Sequence, residues 1–143
     1  MTYNESLNYI LLLISFSKEK RVTLKELVDW YHNKFKEIGF YEFQKSLSKM
    51  DRYNGFVENL VNGRKSIYKN VKVVETATFY EVTSSIFLVG DTIYFDVLDV
   101  SREEFHEFAE FLIKSHAKSL EISIDYTVST DCERVIVYKS MGL

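Results

Sequence analysis

The sequence contains no proline and only five glycines in 143 residues. That excludes collagen-like repeats and Pro/Gly-rich low-complexity chains. Its single cysteine, Cys132, can form neither an internal disulfide nor, on its own, a zinc cage. The longest uninterrupted apolar run, Tyr9 to Ile14, is far too short to cross a bilayer. No basic segment precedes it, so it does not read as a signal peptide. What is present is a composition of 46% hydrophobic, 27% charged and 15% aromatic residues. That is too apolar for a disordered tail and suits one ordinary domain or two small ones. The expectation is a soluble cytoplasmic protein without a membrane partner.

The net charge of −3 conceals an asymmetry. Residues 1–73 hold 13 Lys/Arg against 8 Asp/Glu, and residues 74–143 hold 5 against 13. A basic front half joined to an acidic back half suggests an anion-binding module linked to a second unit. The plainer alternative is chance clustering of surface charge.

In the front half, Glu5 to Phe16 carries Leu7, Ile10, Leu11, Leu12, Leu13 and Ile14, which surround a helical axis. A helix that is apolar all round is buried on several sides, and one of those sides can be another subunit. Thr23-Leu24-Lys25-Glu26 has the form of a capping box. Leu24, Leu27, Val28, Tyr31, Phe35 and Ile38 then repeat at helical spacing, and Gly39 supplies a left-handed stop. A third helix is expected over about 41–53, with Phe43, Leu47 and Met50 as its apolar seam. Its other face would carry Tyr41, Lys45, Ser48 and Arg52, flanked by Gln44 and Lys49. Asn62-Gly63 between two apolar-rich stretches is a strong hairpin signal, with Arg64 and Lys65 at the tip.

Three helices followed by Gly55-Phe56-Val57, Gly63-Arg64 and a returning Tyr68 resemble a winged helix-turn-helix DNA-binding domain over about residues 4–72. The resemblance implies a recognition helix at about 41–53 in the major groove and a wing at about 56–71 on the phosphate backbone. By position, Tyr41, Gln44, Lys45, Ser48, Lys49 and Arg52 would face double-stranded DNA, and Arg64 and Lys65 would sit on the wing. The chain departs from the family pattern in its long second helix and in Phe40 and Tyr41 at the turn.

The back half reads as β-β-α-β-β, with 73–81 as an extended junction. Ser85 to Val89 and Thr92 to Leu98 flank Gly90-Asp91, a second hairpin signal. Ser101 to Glu104 is another capping box, opening a helix to about Lys118. Residues 121–128 alternate apolar and polar, and 134–138 make a last strand. One helix covers one sheet face, which leaves Ile86, Leu88, Tyr94, Ile136 and Tyr138 for the other, a dimer surface in the favoured reading and a small-molecule pocket in the alternative. The fold class expected is α+β, with a winged-helix domain at 1–73 and an acidic dimerisation or regulatory domain at 74–143.

Candidate catalytic sets are weak. Glu103-x-x-His106 lacks the second such pair that a di-metal site needs. The carboxylates Asp91, Asp96, Asp99, Asp125, Asp131 and Glu133 invite a metal-nuclease reading, but Asp96 and Asp125 alternate with core positions. Cys132 has no histidine near it in sequence. No cofactor, metal site or enzymatic activity is therefore expected. The sequence points to a homodimeric DNA-binding transcription regulator. The alternative is a non-enzymatic module that binds a protein partner.

Overall fold

The computed structural model describes residues 5–88, 92–130 and 132–139. The chain runs α1 (Glu5–Glu19), α2 (Leu24–Glu37), α3 (Phe40–Lys45), α4 (Lys49–Lys65), β1 (Tyr68–Glu75), β2 (Phe79–Phe87), α5 (Thr92–Val97), α6 (Arg102–Ser119), β3 (Ile124–Ser129) and β4 (Cys132–Tyr138). It is an α+β fold. The four strands form one antiparallel sheet in the order β1-β2-β4-β3. Strand alternation sends Tyr80, Val82, Ser84, Glu133, Val135, Val137 and Tyr126 to the face covered by α4 and α6. Behind that layer α2 packs on α6.

Local signals explain the helices that were read correctly. Thr23 caps α2 by accepting the Glu26 N–H at 3.1 Å. Gly39 takes φ 75° after α2, a conformation that costs an L side chain about 1 kcal/mol. Ser101 and Glu104 form a complete capping box on α6.

Three expectations about single elements are corrected. The wing hairpin at 56–71 is absent, because residues 49–65 form α4 and β1 starts only at Tyr68. Tyr53, Phe56, Val57, Leu60 and Arg64 recur at helical spacing and are all buried. Their burial outweighs the roughly 1 kcal/mol helix cost of each of Gly55 and Gly63. The hairpin lies further along, between β1 and β2, where Thr76 Oγ1 accepts the N–H groups of Thr78 and Phe79.

The second correction concerns the helix at 41–53, which is two helices. Ser46 hydroxyl donates to the Phe43 carbonyl at the end of α3, and Ser48 caps α4 through the Asp51 N–H at 3.1 Å. Two serines that prefer helix ends thus divide the segment. The third concerns 92–98, which is not a strand. Phe95 is buried while Ile93 and Val97, four residues apart, are both exposed, which is the helical period of α5. The Gly90-Asp91 turn lies outside the described residues.

No boundary falls between 73 and 74, because β1 runs through it and pairs along β2. Two hydrophobic clusters hold the fold, and each draws on both halves. One joins Tyr53, Phe56 and Leu60 to Ala109, Ile113, Val135 and Val137. The other joins Leu7, Leu11, Ile14 and Val28 to Phe95, Phe105 and Phe108.

Candidate functional site

The residues expected to face DNA are scattered. Tyr41 is buried and shares a hydrogen bond with His32 Nδ1. Arg52 is half-buried, with Nη1 donating to the Leu120 carbonyl at 3.0 Å. Lys45 is paired with Glu42 at 3.0 Å and lies 3.9 Å from Glu121. Ser48 is spent on its cap, and Gln44 is half-buried. Of the cations in this set, only Lys49 and Lys65 are exposed without an ion pair among the described residues, and they stand at opposite ends of α4.

Arg64 departs furthest from its expected place on a wing tip. It is 7% exposed, and its Nη1 donates to Glu133 Oε2 at 3.1 Å. Glu133 is 1% exposed, and the same oxygen accepts the Tyr126 hydroxyl at 2.8 Å. Burial, reinforced by the Glu133 charge, raises the Tyr126 pKa far above that of an ordinary phenol, so it stays a donor. Tyr126 belongs to one hydrophobic cluster, and Ile67 and Tyr68, just past Arg64, belong to the other. The ion pair therefore sits where the two cores meet. Glu133, weighed from sequence as a metal-ligating acid, is this arginine's partner instead. Among the described residues no group of three His, Cys, Asp or Glu is placed to hold a metal ion.

A second polar cluster lies between α2, α3 and α6. Burial lowers the His32 pKa, and burial together with the neighbouring His32 lowers His116 to about 4. The His116 ring stacks on Phe56 at 5.5 Å. Burial raises Tyr41 to about 12. At neutral pH the cluster is uncharged. An open cleft of about 800 Å³ adjoins it, rimmed by Lys36 and Lys118 but also by Asp29, Glu42 and Glu121. That mixed rim selects no ligand charge.

The sheet face away from the helices is largely polar. Arg134 pairs with Glu81 at 2.9 Å, and the Tyr138 hydroxyl donates to Asp125. Ile136 and Tyr138 lie there as expected, with exposed Val74 in register opposite Glu81, whereas Tyr94 is on α5 and not on the sheet.

Among the described residues, α1 exposes more large apolar side chains than any other helix. Leu7, Leu11 and Ile14 are buried, while Tyr9, Leu12, Leu13 and Phe16 on the opposite side are 60%, 51%, 43% and 57% exposed. Their i, i+3, i+4, i+7 spacing makes one continuous stripe. α5, which packs on α1, exposes Ile93 and Val97. The all-round apolarity of the first helix pointed to this surface. Tyr9 and Phe16, which bound the stripe, were the missed members, and their spacing from Leu12 and Leu13 is readable in the sequence.

No described helix is long and apolar enough to cross a membrane. Comparison with curated proteins finds 30% identity over 133 residues with YxnB of Bacillus subtilis (strain 168), described as an uncharacterized protein. The overlap covers 92% of this chain and 83% of that one. No protein-family model and no solved structure matches the chain.

Proposed function

The chain belongs to the family of the Bacillus subtilis protein YxnB, and we propose that it is a non-enzymatic protein-interaction module that docks through α1. One observation carries this reading. Tyr9, Leu12, Leu13 and Phe16 form an exposed apolar stripe on a helix whose other side is anchored in the core. A contiguous patch of this kind on a soluble surface marks an interaction site. Its two aromatic members are the residue types enriched at interface centres.

The test is photo-crosslinking in cells with a photoreactive amino acid at position 9, and at Glu58 as an exposed control on α4. Discrete protein adducts at position 9, absent at 58 and lost when Leu13→Asp is added, are expected. No adduct at position 9 would overturn the reading.

DNA binding is the second reading, supported by exposed Lys49, Lys65, Lys69 and Lys72 along α4 and β1. It would use α3 and α4 as the helix-turn-helix and the β1–β2 hairpin as the wing, with a regulator's function following from it. Lysines on an edge strand also deter strand-to-strand aggregation, which weakens their weight as phosphate contacts. Binding to random duplex DNA across a salt series decides it. Affinity that falls steeply with salt and is lost in Lys65→Glu/Lys69→Glu supports it, and no binding at low salt ends it.

A further inference from the structure

We infer that the occupant of the α1 stripe is a second copy of the same stripe, paired antiparallel across a two-fold axis between Leu12 and Leu13. This rests on the docking reading above and names its partner. The helix presents Glu5, Tyr9, Leu12, Leu13 and Phe16 on one side, and Lys20, just past its end, continues the turn through its N–H bond to the Phe16 carbonyl at 3.1 Å. At 100° per residue these six positions fall within a sector of about 100°. Their spacings along the chain are 4, 3, 1, 3 and 4, which read the same in both directions. The chemistry is palindromic as well: charge, aromatic, leucine, leucine, aromatic, charge.

A two-fold axis at the centre of such a series brings each residue opposite its mirror position. Leu12 meets Leu13, Tyr9 meets Phe16, and Glu5 meets Lys20 of the other copy. The terminal charges are of opposite sign, so an antiparallel pair makes two intermolecular ion pairs. A parallel pair would set Glu5 against Glu5 and Lys20 against Lys20. Neither Glu5 nor Lys20 has an ion pair within the chain among the described residues, and Lys20 Nζ lies 5.5 Å over the Phe16 ring, at the end of the stripe. An isologous contact demands self-complementarity of this kind. Antiparallel helices also oppose their dipoles favourably.

The area fits a weak pair of copies. The four apolar residues leave roughly 400 Å² of surface exposed on each copy. With the flanking polar residues that is a contact below the roughly 800 Å² per partner of a standard stable interface, the size of a dimer that dissociates on dilution.

Sedimentation velocity on the intact protein tests this with charge reversals at exposed positions. The wild-type chain is expected to dimerise, and Leu12→Asp/Leu13→Asp to sediment as a monomer with an unchanged circular dichroism spectrum. Glu5→Lys and Lys20→Glu should each weaken self-association about tenfold, since each puts two like-charge pairs into the dimer. Mixing those two variants should restore association, because each then supplies the opposite charge to the other. The antiparallel register is checked in a Cys132→Ser background. Tyr9→Cys should oxidise to a crosslink with Phe16→Cys in preference to itself. A monomeric wild type at high concentration overturns the inference, as does a Tyr9→Cys self-crosslink, or reversals that do not rescue each other on mixing. Crosslinking at position 9 in cells to a partner of a different mass would also overturn it while leaving α1 docking standing. Absence of any adduct there would remove both.

Discussion

Removing Arg64 should nearly unfold the protein, whereas removing Arg64 together with Glu133 should not. The carboxylate of Glu133 is 1% exposed and its charge is met by Arg64 Nη1 at 3.1 Å, helped by the Tyr126 hydroxyl at 2.8 Å. Arg64→Met leaves that carboxylate buried with a phenol as its nearest remaining donor. Stripping one partner from a buried pair costs about 3–5 kcal/mol, a large part of the roughly 5–15 kcal/mol that holds a domain folded. Arg64→Met/Glu133→Leu removes both charges and fills the space with apolar groups. It also removes the acceptor of Tyr126, which costs about 1 kcal/mol. The double variant should therefore lie within about 1–2 kcal/mol of the wild type, and a large coupling energy should appear in the cycle. Urea denaturation of the four proteins at pH 7 measures it. An Arg64→Met cost below about 1 kcal/mol would refute the argument, because that is how an exposed arginine on a DNA-contacting loop behaves.

Acid sensitivity should come first from histidine. His116 titrates near 4 in the fold against an ordinary 6.5, so the unfolded chain takes up a proton that the folded one refuses. Its contribution to stability is complete above pH 6.5 and is lost as pH falls toward 4, with His32 shifted in the same direction. Between pH 6.5 and 5 the loss from His116 should be about 2 kcal/mol. His116→Phe should flatten that slope in urea melts, and a wild-type stability unchanged over the interval would contradict it. Gly39→Ala should cost about 1 kcal/mol because φ 75° strains any L side chain although the space around Gly39 is open. A neutral result would mean that the turn relaxes. Ser101→Ala should also cost about 1 kcal/mol by uncapping α6, with a matching shift of the urea midpoint. No shift would show that Glu104 and Lys18 hold that end alone.

The elements legible in the sequence were those whose signals are local. The caps at Thr23 and Ser101 and the stop at Gly39 depend on residues within a turn or two, and all are present, while the alternating stretch 121–128 is a strand only from Ile124 onward. α4 was hidden because its buried stripe ends on Arg64, a residue that reads as surface. Only Glu133, 69 positions away, makes that place apolar in effect. Without that partner the adjacent Asn62-Gly63 reads as a turn. α5 was hidden because six residues are too few to separate a period of two from one of 3.6 when apolar residues stand at both kinds of position.

The charge asymmetry was legible, and its meaning changes with the fold. The front half has an excess of cations and the back half an excess of acids, which from sequence suggested a basic module reaching for an external anion. Among the described residues three front-half cations meet three back-half acids: Lys18 with Glu104 at 3.1 Å, Lys45 with Glu121 at 3.9 Å and Arg64 with Glu133 at 3.1 Å. These contacts lie at the start of α6, just past its end and on β4, so they clamp the helical half along the length of the other. Part of the basic excess is thus neutralised inside the molecule, and what is left exposed on α4 and β1 is four lysines. The two halves also share both hydrophobic clusters instead of owning one each. A segment carrying Leu7, Val28 and Phe56 has too little apolar surface of its own to bury them all, and the acidic half supplies the remaining walls. The apolar stripe of α1 is the part of that surface which the acidic half does not cover. The search for a partner therefore starts with that stripe.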